Sequence, residues 1–74
     1  MNLIEANKLW YKFEPIEGVL FGYNDNVLIK SGNHAAKNAS VISLESLQPT
    51  TYLLELGSGD GDIVIAETEL EKNE

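Results

Sequence analysis

The chain has 74 residues and a formal net charge of −7, with twelve acidic side chains against five lysines and no arginine. The absence of cysteine excludes disulfides, thiolate metal sites and a cysteine nucleophile. A chain this acidic, lacking the guanidinium fork that reads phosphates and guanine edges, would repel a polyanion, which argues against direct nucleic-acid binding.

In chain order, Met1–Asn7 reads as a lead-in or a short helical turn. Leu9–Phe13, LWYKF, is rich in aromatics and is followed by Pro15, which cannot donate to a ladder. It is expected to form a first strand with Leu9, Tyr11 and Phe13 on one face and Trp10 and Lys12 on the other. Gly18–Lys30 reads as a hairpin. Val19, Phe21 and Tyr23 alternate, Asn24, Asp25 and Asn26 reverse the chain, and Val27–Ile29 returns; Gly22 marks a bulge or a close backbone approach. Ser31–Asn38 is a polar loop. Ala39–Leu44 forms a short strand around Val41 and Ile42, and Ser43–Leu47 a single helical turn that Pro49 closes off.

The stretch Thr51–Leu70, TYLLELGSGDGDIVIAETEL, organises the remainder. Tyr52, Leu54 and Leu56 share one face of a strand, with Leu53 and Glu55 on the other. The cluster Gly57–Gly61 supplies a tight reversal, and the β-branched run Ile63–Ile65 returns. Glu67–Glu71 adds a last short turn that tucks Leu70 underneath.

Five or six short antiparallel strands with one or two helical turns, reversing roughly every eight to twelve residues, indicate an all-β fold built as a small barrel. The chain is expected to be one domain, 1–74, with a core small enough to need help from a partner or a second copy. No apolar run approaches membrane-spanning length, so a cytoplasmic location without membrane contact is expected.

The aromatic opening Leu9–Phe13, the hairpin Gly18–Lys30, VISLESLQP at Val41–Pro49 and DIVIAETEL at Asp62–Leu70 together resemble the SH3-like and Tudor-like small barrels. That resemblance covers most of the chain and implies a binding module or accessory subunit, since aromatic clusters on such barrels often take peptides; the fold by itself fixes no activity. The candidates here are Trp10, Tyr11 and Tyr23. Leu54–Ala66, LELGSGDGDIVIA, also resembles the first motif of class I S-adenosylmethionine-dependent methyltransferases, with Glu55 at the acidic position and Gly57, Gly59 and Gly61 in the turn. That family opens a helix after the glycines and then returns to a parallel strand. Only thirteen residues follow Gly61, and those that would open the helix, Ile63–Ile65, are β-branched, so no cofactor is expected.

The remaining signals carry little chemistry. His34 is a lone loop histidine with no second histidine or cysteine to join it at a metal. The Asp60–Gly61–Asp62 triplet lacks the further ligands of a calcium loop. Asn38–Ala39–Ser40 has the glycosylation pattern, which matters only in a secreted protein. A non-enzymatic protein-interaction module is the expected function. The alternative is an acidic decoy or inhibitor that covers a basic site through Asp60, Asp62, Glu67 and Glu69; cofactor binding at Gly57–Gly61 ranks last. The partner is a protein, and exposed strand edges also admit a homodimer.

Overall fold

A computed structural model describes residues 1–57 and 61–73. It is mostly β: one helix precedes a five-stranded, open antiparallel sheet. The helix, α1, spans Leu3–Tyr11. Asn2 caps it, its Oδ1 accepting from the Glu5 N–H at 2.8 Å, while Glu5 in the first turn and Lys8 in the last complement the helix dipole. Ala6 and Trp10, one turn apart, are its buried residues. This corrects the strand expected at Leu9–Phe13: Trp10 faces the core, whereas Tyr11 and Phe13 are exposed. Period-2 alternation over five residues is weaker than a capped helix with an i, i+4 buried pair. Asn7 fixes the helix to the sheet, its Nδ2 donating to the Leu44 carbonyl at 3.0 Å and its Oδ1 accepting from the Leu44 N–H at 3.4 Å.

The helix ends at a left-handed residue. Phe13 has φ 61°, its N–H donates to the Trp10 carbonyl at 3.1 Å, and the Glu14 N–H reaches back to Leu9 at 3.0 Å. This pairing is a Schellman ending, which normally uses glycine at the left-handed position, followed here by Pro15. An irregular segment runs from there to Asp25. The strand expected at Val19–Tyr23 is not formed, because side chains take its backbone groups instead of a ladder. The Leu20 N–H donates to Glu67 Oε2 at 2.9 Å, Phe21 N–H to the Tyr52 hydroxyl at 3.2 Å, and Gly22 N–H to Asp25 Oδ2 at 2.8 Å. A Cβ built on Gly22 would meet only ordinary contacts, so no close approach explains that glycine.

The sheet consists of β1 (Asn26–Ile29), β2 (Asn38–Leu47), β3 (Thr50–Leu56), β4 (Asp62–Ala66) and β5 (Leu70–Lys72), in the order β4-β3-β2-β1-β5. β1 pairs with β2 and β5, not with a preceding strand. β2 runs on through Ser43–Leu47, correcting the helical turn expected there. Register shifts between Val41 and Ser43, and between Leu44 and Ser46, bring Val41 opposite Leu54 and Leu44 opposite Tyr52. Both are buried, so a bulge has given a strand the three-residue apolar spacing of a helix. The β3–β4 hairpin is as expected: Tyr52, Leu54 and Leu56 are buried, Glu55 is exposed, and Gly61 takes the positive φ of the reversal. The turn expected over Glu67–Glu71 is a 3₁₀ turn that ends at Glu69; Leu70 is buried as expected, but it opens β5, which pairs with β1.

Candidate interaction face

The aromatic candidates assemble where α1 ends. The Trp10 ring stacks edge-on against Tyr11 at 5.0 Å and Tyr23 at 6.1 Å between centroids, and Tyr11 and Tyr23 are 5.4 Å apart. Their roles differ. Trp10 belongs to the core: it is buried, and its indole N–H donates to the Phe21 carbonyl at 2.7 Å. Tyr11 and Tyr23 keep part of their rings in water, and the Tyr11 hydroxyl donates to the Ile42 carbonyl at 2.8 Å. Both rings are held by neighbours on several sides, so ordering them on binding would carry a small entropic cost.

Beside this cluster lies an apolar groove of about 190 Å³, between the end of α1 and the irregular segment. Trp10 and Phe21 contribute to it from the core side, Pro15, Ile16 and Val19 flank it, and Phe13 and Leu20 stand at its mouth. Phe13 is 70% exposed and Leu20 77%. Neither residue stood out in the sequence, since exposure has no local signature. The nearest signal was Pro15 soon after a Schellman ending, legible only once LWYK is read as helix.

A polar lock beneath the groove sets its wall. The Tyr52 hydroxyl accepts from the Phe21 N–H and donates to Glu67 Oε2, which also accepts from the Leu20 N–H. Burial, and then the hydrogen bond to Glu67, push the Tyr52 hydroxyl well above the usual tyrosine range. The Thr50 hydroxyl donates to the Gly18 carbonyl at 3.2 Å, holding the far end of the same segment.

The acidic candidates do not act together. Glu67 is committed to the lock, and Glu69 accepts from the Ser31 hydroxyl at 3.1 Å. Asp62 is exposed at the start of β4, directly opposite Glu55, which is also exposed. Asp60 lies outside the described residues. The segment after Gly61 is β4, antiparallel to β3, where the methyltransferase motif would start a helix. His34 remains in the loop before β2, and no group of three metal-ligating side chains forms among the described residues. No described helix is long and apolar enough to cross a membrane. A scan of family models and searches of curated proteins and of solved structures find no match to this chain.

Proposed function

We propose that this protein is a non-enzymatic interaction module that takes a short peptide segment of a partner protein on the face formed by Tyr11, Phe13, Leu20 and Tyr23. The observation that carries this reading is Phe13. A non-glycine residue in the left-handed region costs roughly 1–2 kcal/mol, and here the side chain it presents is mostly in water rather than in the core. Strain of this kind persists where the surroundings enforce it and is concentrated at binding sites. Leu20, also out in water, faces the same groove, which has room for a large apolar side chain. Glu14 in the groove lining and the net charge of −7 favour basic residues beside that anchor.

Two bulges that curve β2, and a 3₁₀ turn that returns β5 to β1, support a small SH3-like barrel. The acidic-decoy reading keeps one supporting observation, the exposed Glu55–Asp62 pair. Selection from a random peptide-display library tests the primary reading. Selected peptides should share an apolar anchor, and Leu20→Ser should abolish their binding while the circular dichroism spectrum stays unchanged. Enrichment of purely basic peptides that ignore Leu20→Ser and dissociate in high salt would favour the decoy instead.

A further inference from the structure

We infer that the free edge of β4 is a second docking surface, which adds an extended strand from a basic partner to the sheet. It goes beyond the groove and shares no residue with it. Among the described residues the sheet order gives β4 one hydrogen-bonded neighbour, β3, and no strand on its other side. The Leu56 N–H donates to the Gly61 carbonyl at 3.1 Å. Antiparallel pairs alternate between bonded and non-bonded, so with Leu54 opposite Ile63 and Tyr52 opposite Ile65 it is Ile63 and Ile65 that bond to β3. Asp62 and Val64 therefore aim both their N–H and C=O groups outward, and Ala66 its N–H, while the Ala66 carbonyl caps the 3₁₀ turn that follows.

Edges of this kind are normally blunted by proline, lysine, a bulge or very short length. β4 has none of the first three: its sequence is DIVIA, and its register with β3 runs unshifted from Thr51–Ala66 to Glu55–Asp62. Val64, at its centre, is 54% exposed. The opposite edge differs, because β5 has only three residues and two of them are Glu71 and Lys72.

Charge identifies the occupant. Glu55 and Asp62 face each other across the strands on the outer face, a like-charge arrangement that is unfavourable in isolation. Neither makes an ion pair with another described residue. A lysine or arginine opposite Asp62 on an added strand would relieve it, with apolar or β-branched residues opposite Val64 and Ala66. A second copy of this chain does not supply that cation: antiparallel pairing centred on Val64 sets Ala66 against Asp62. The site therefore fits a partner segment of alternating apolar residues that ends in a basic residue.

The test titrates isotope-labelled protein with a peptide of about ten residues, alternating valine and threonine and ending in two lysines, and follows the backbone amides. Shifts should concentrate at 62–66. A glutamate-ended analogue, N-methylation of the peptide's ladder positions and Val64→Pro should each weaken binding about fivefold or more. Val64→Pro removes an outward N–H and leaves the β3 ladder intact. The N-methylated peptide makes the same test on unaltered protein, should that variant misfold. Phe13→Ala should leave this binding unchanged, which separates it from the groove. Three results would overturn the inference: no binding at millimolar peptide, binding indifferent to N-methylation, or free protein sedimenting at twice the 8.2 kDa chain mass and reverting with Val64→Pro.

Discussion

Replacing Phe13 by glycine and, separately, by alanine divides its two contributions. About a third of the residue is buried, so truncation returns roughly 60 Å² of a side chain of about 200 Å² to water, worth about 1.5 kcal/mol. Alanine loses that burial and keeps the left-handed strain, because φ stays near 61°. Glycine loses the same burial but sheds about 1.5 kcal/mol of strain, offset by about 0.5 kcal/mol for its greater chain entropy in the unfolded state, a net gain of about 1 kcal/mol. Phe13→Ala should therefore cost about 1.5 kcal/mol, and Phe13→Gly about 0.5. The order is the reverse of that inside a helix, where alanine outranks glycine by about 1 kcal/mol. Urea unfolding followed by circular dichroism reads the difference. At about 1 kcal/mol per molar urea, the glycine variant should unfold about 1 M later than the alanine variant. Equal midpoints, or alanine ahead, would refute the claim that the chain holds this aromatic under strain. Both variants should lose peptide binding, and near-native stability in the glycine variant would rule out unfolding as the cause.

Tyr52→Phe removes the hydroxyl that satisfies the buried Phe21 N–H, so it should cost about 1–3 kcal/mol in urea unfolding and weaken groove binding through movement of the wall. The same hydroxyl gives a pH signature. A tyrosine held above its ordinary range stabilises the fold fully below the unfolded value near pH 10, and that stability is lost as pH rises past it, by about 1.4 kcal/mol per pH unit. The difference in unfolding free energy between native protein and Tyr52→Phe should shrink accordingly above pH 10; a constant difference would contradict the lock. Asn7→Ala leaves both backbone groups of Leu44 without their side-chain partner and should lower stability by about 1–2 kcal/mol, measured by thermal unfolding. Asn2→Ala should cost about 1 kcal/mol, with loss of helical ellipticity.

What could be read from the sequence was the part whose signals are local and repeated. Alternation at Tyr52–Leu56, a glycine reversal and the β-branched Ile63–Ile65 together specify the β3–β4 hairpin, and Leu70 is buried after a short turn. The errors arose where one residue pattern serves two structures. LWYKF alternates over five residues, but the Asn2 cap and the Ala6–Trp10 spacing win once the preceding residues count as helix. Val41 and Leu44 carry helical spacing because a bulge absorbs Ile42. Val19–Phe21 has a strand's alternation without a strand's partner, since Tyr52 and Glu67, more than thirty residues away, supply the hydrogen bonds. The aromatic cluster was partly legible: Tyr11 and Tyr23 do meet, but Trp10 is core, and the groove beside the cluster is lined by Phe13 and Leu20 rather than by the tyrosines. Of the acidic candidates, Glu67 proved to be an internal acceptor. Its neighbours in sequence gave no hint of that, because its partners lie on other elements.

Amide chemical-shift mapping with a display-selected peptide tests the central claim most directly. Shifts clustered at Tyr11, Phe13, Leu20 and Tyr23, absent in Leu20→Ser, are the predicted result. A selected peptide that leaves those four amides unmoved and perturbs the sheet face or the β2–β3 turn instead would contradict it.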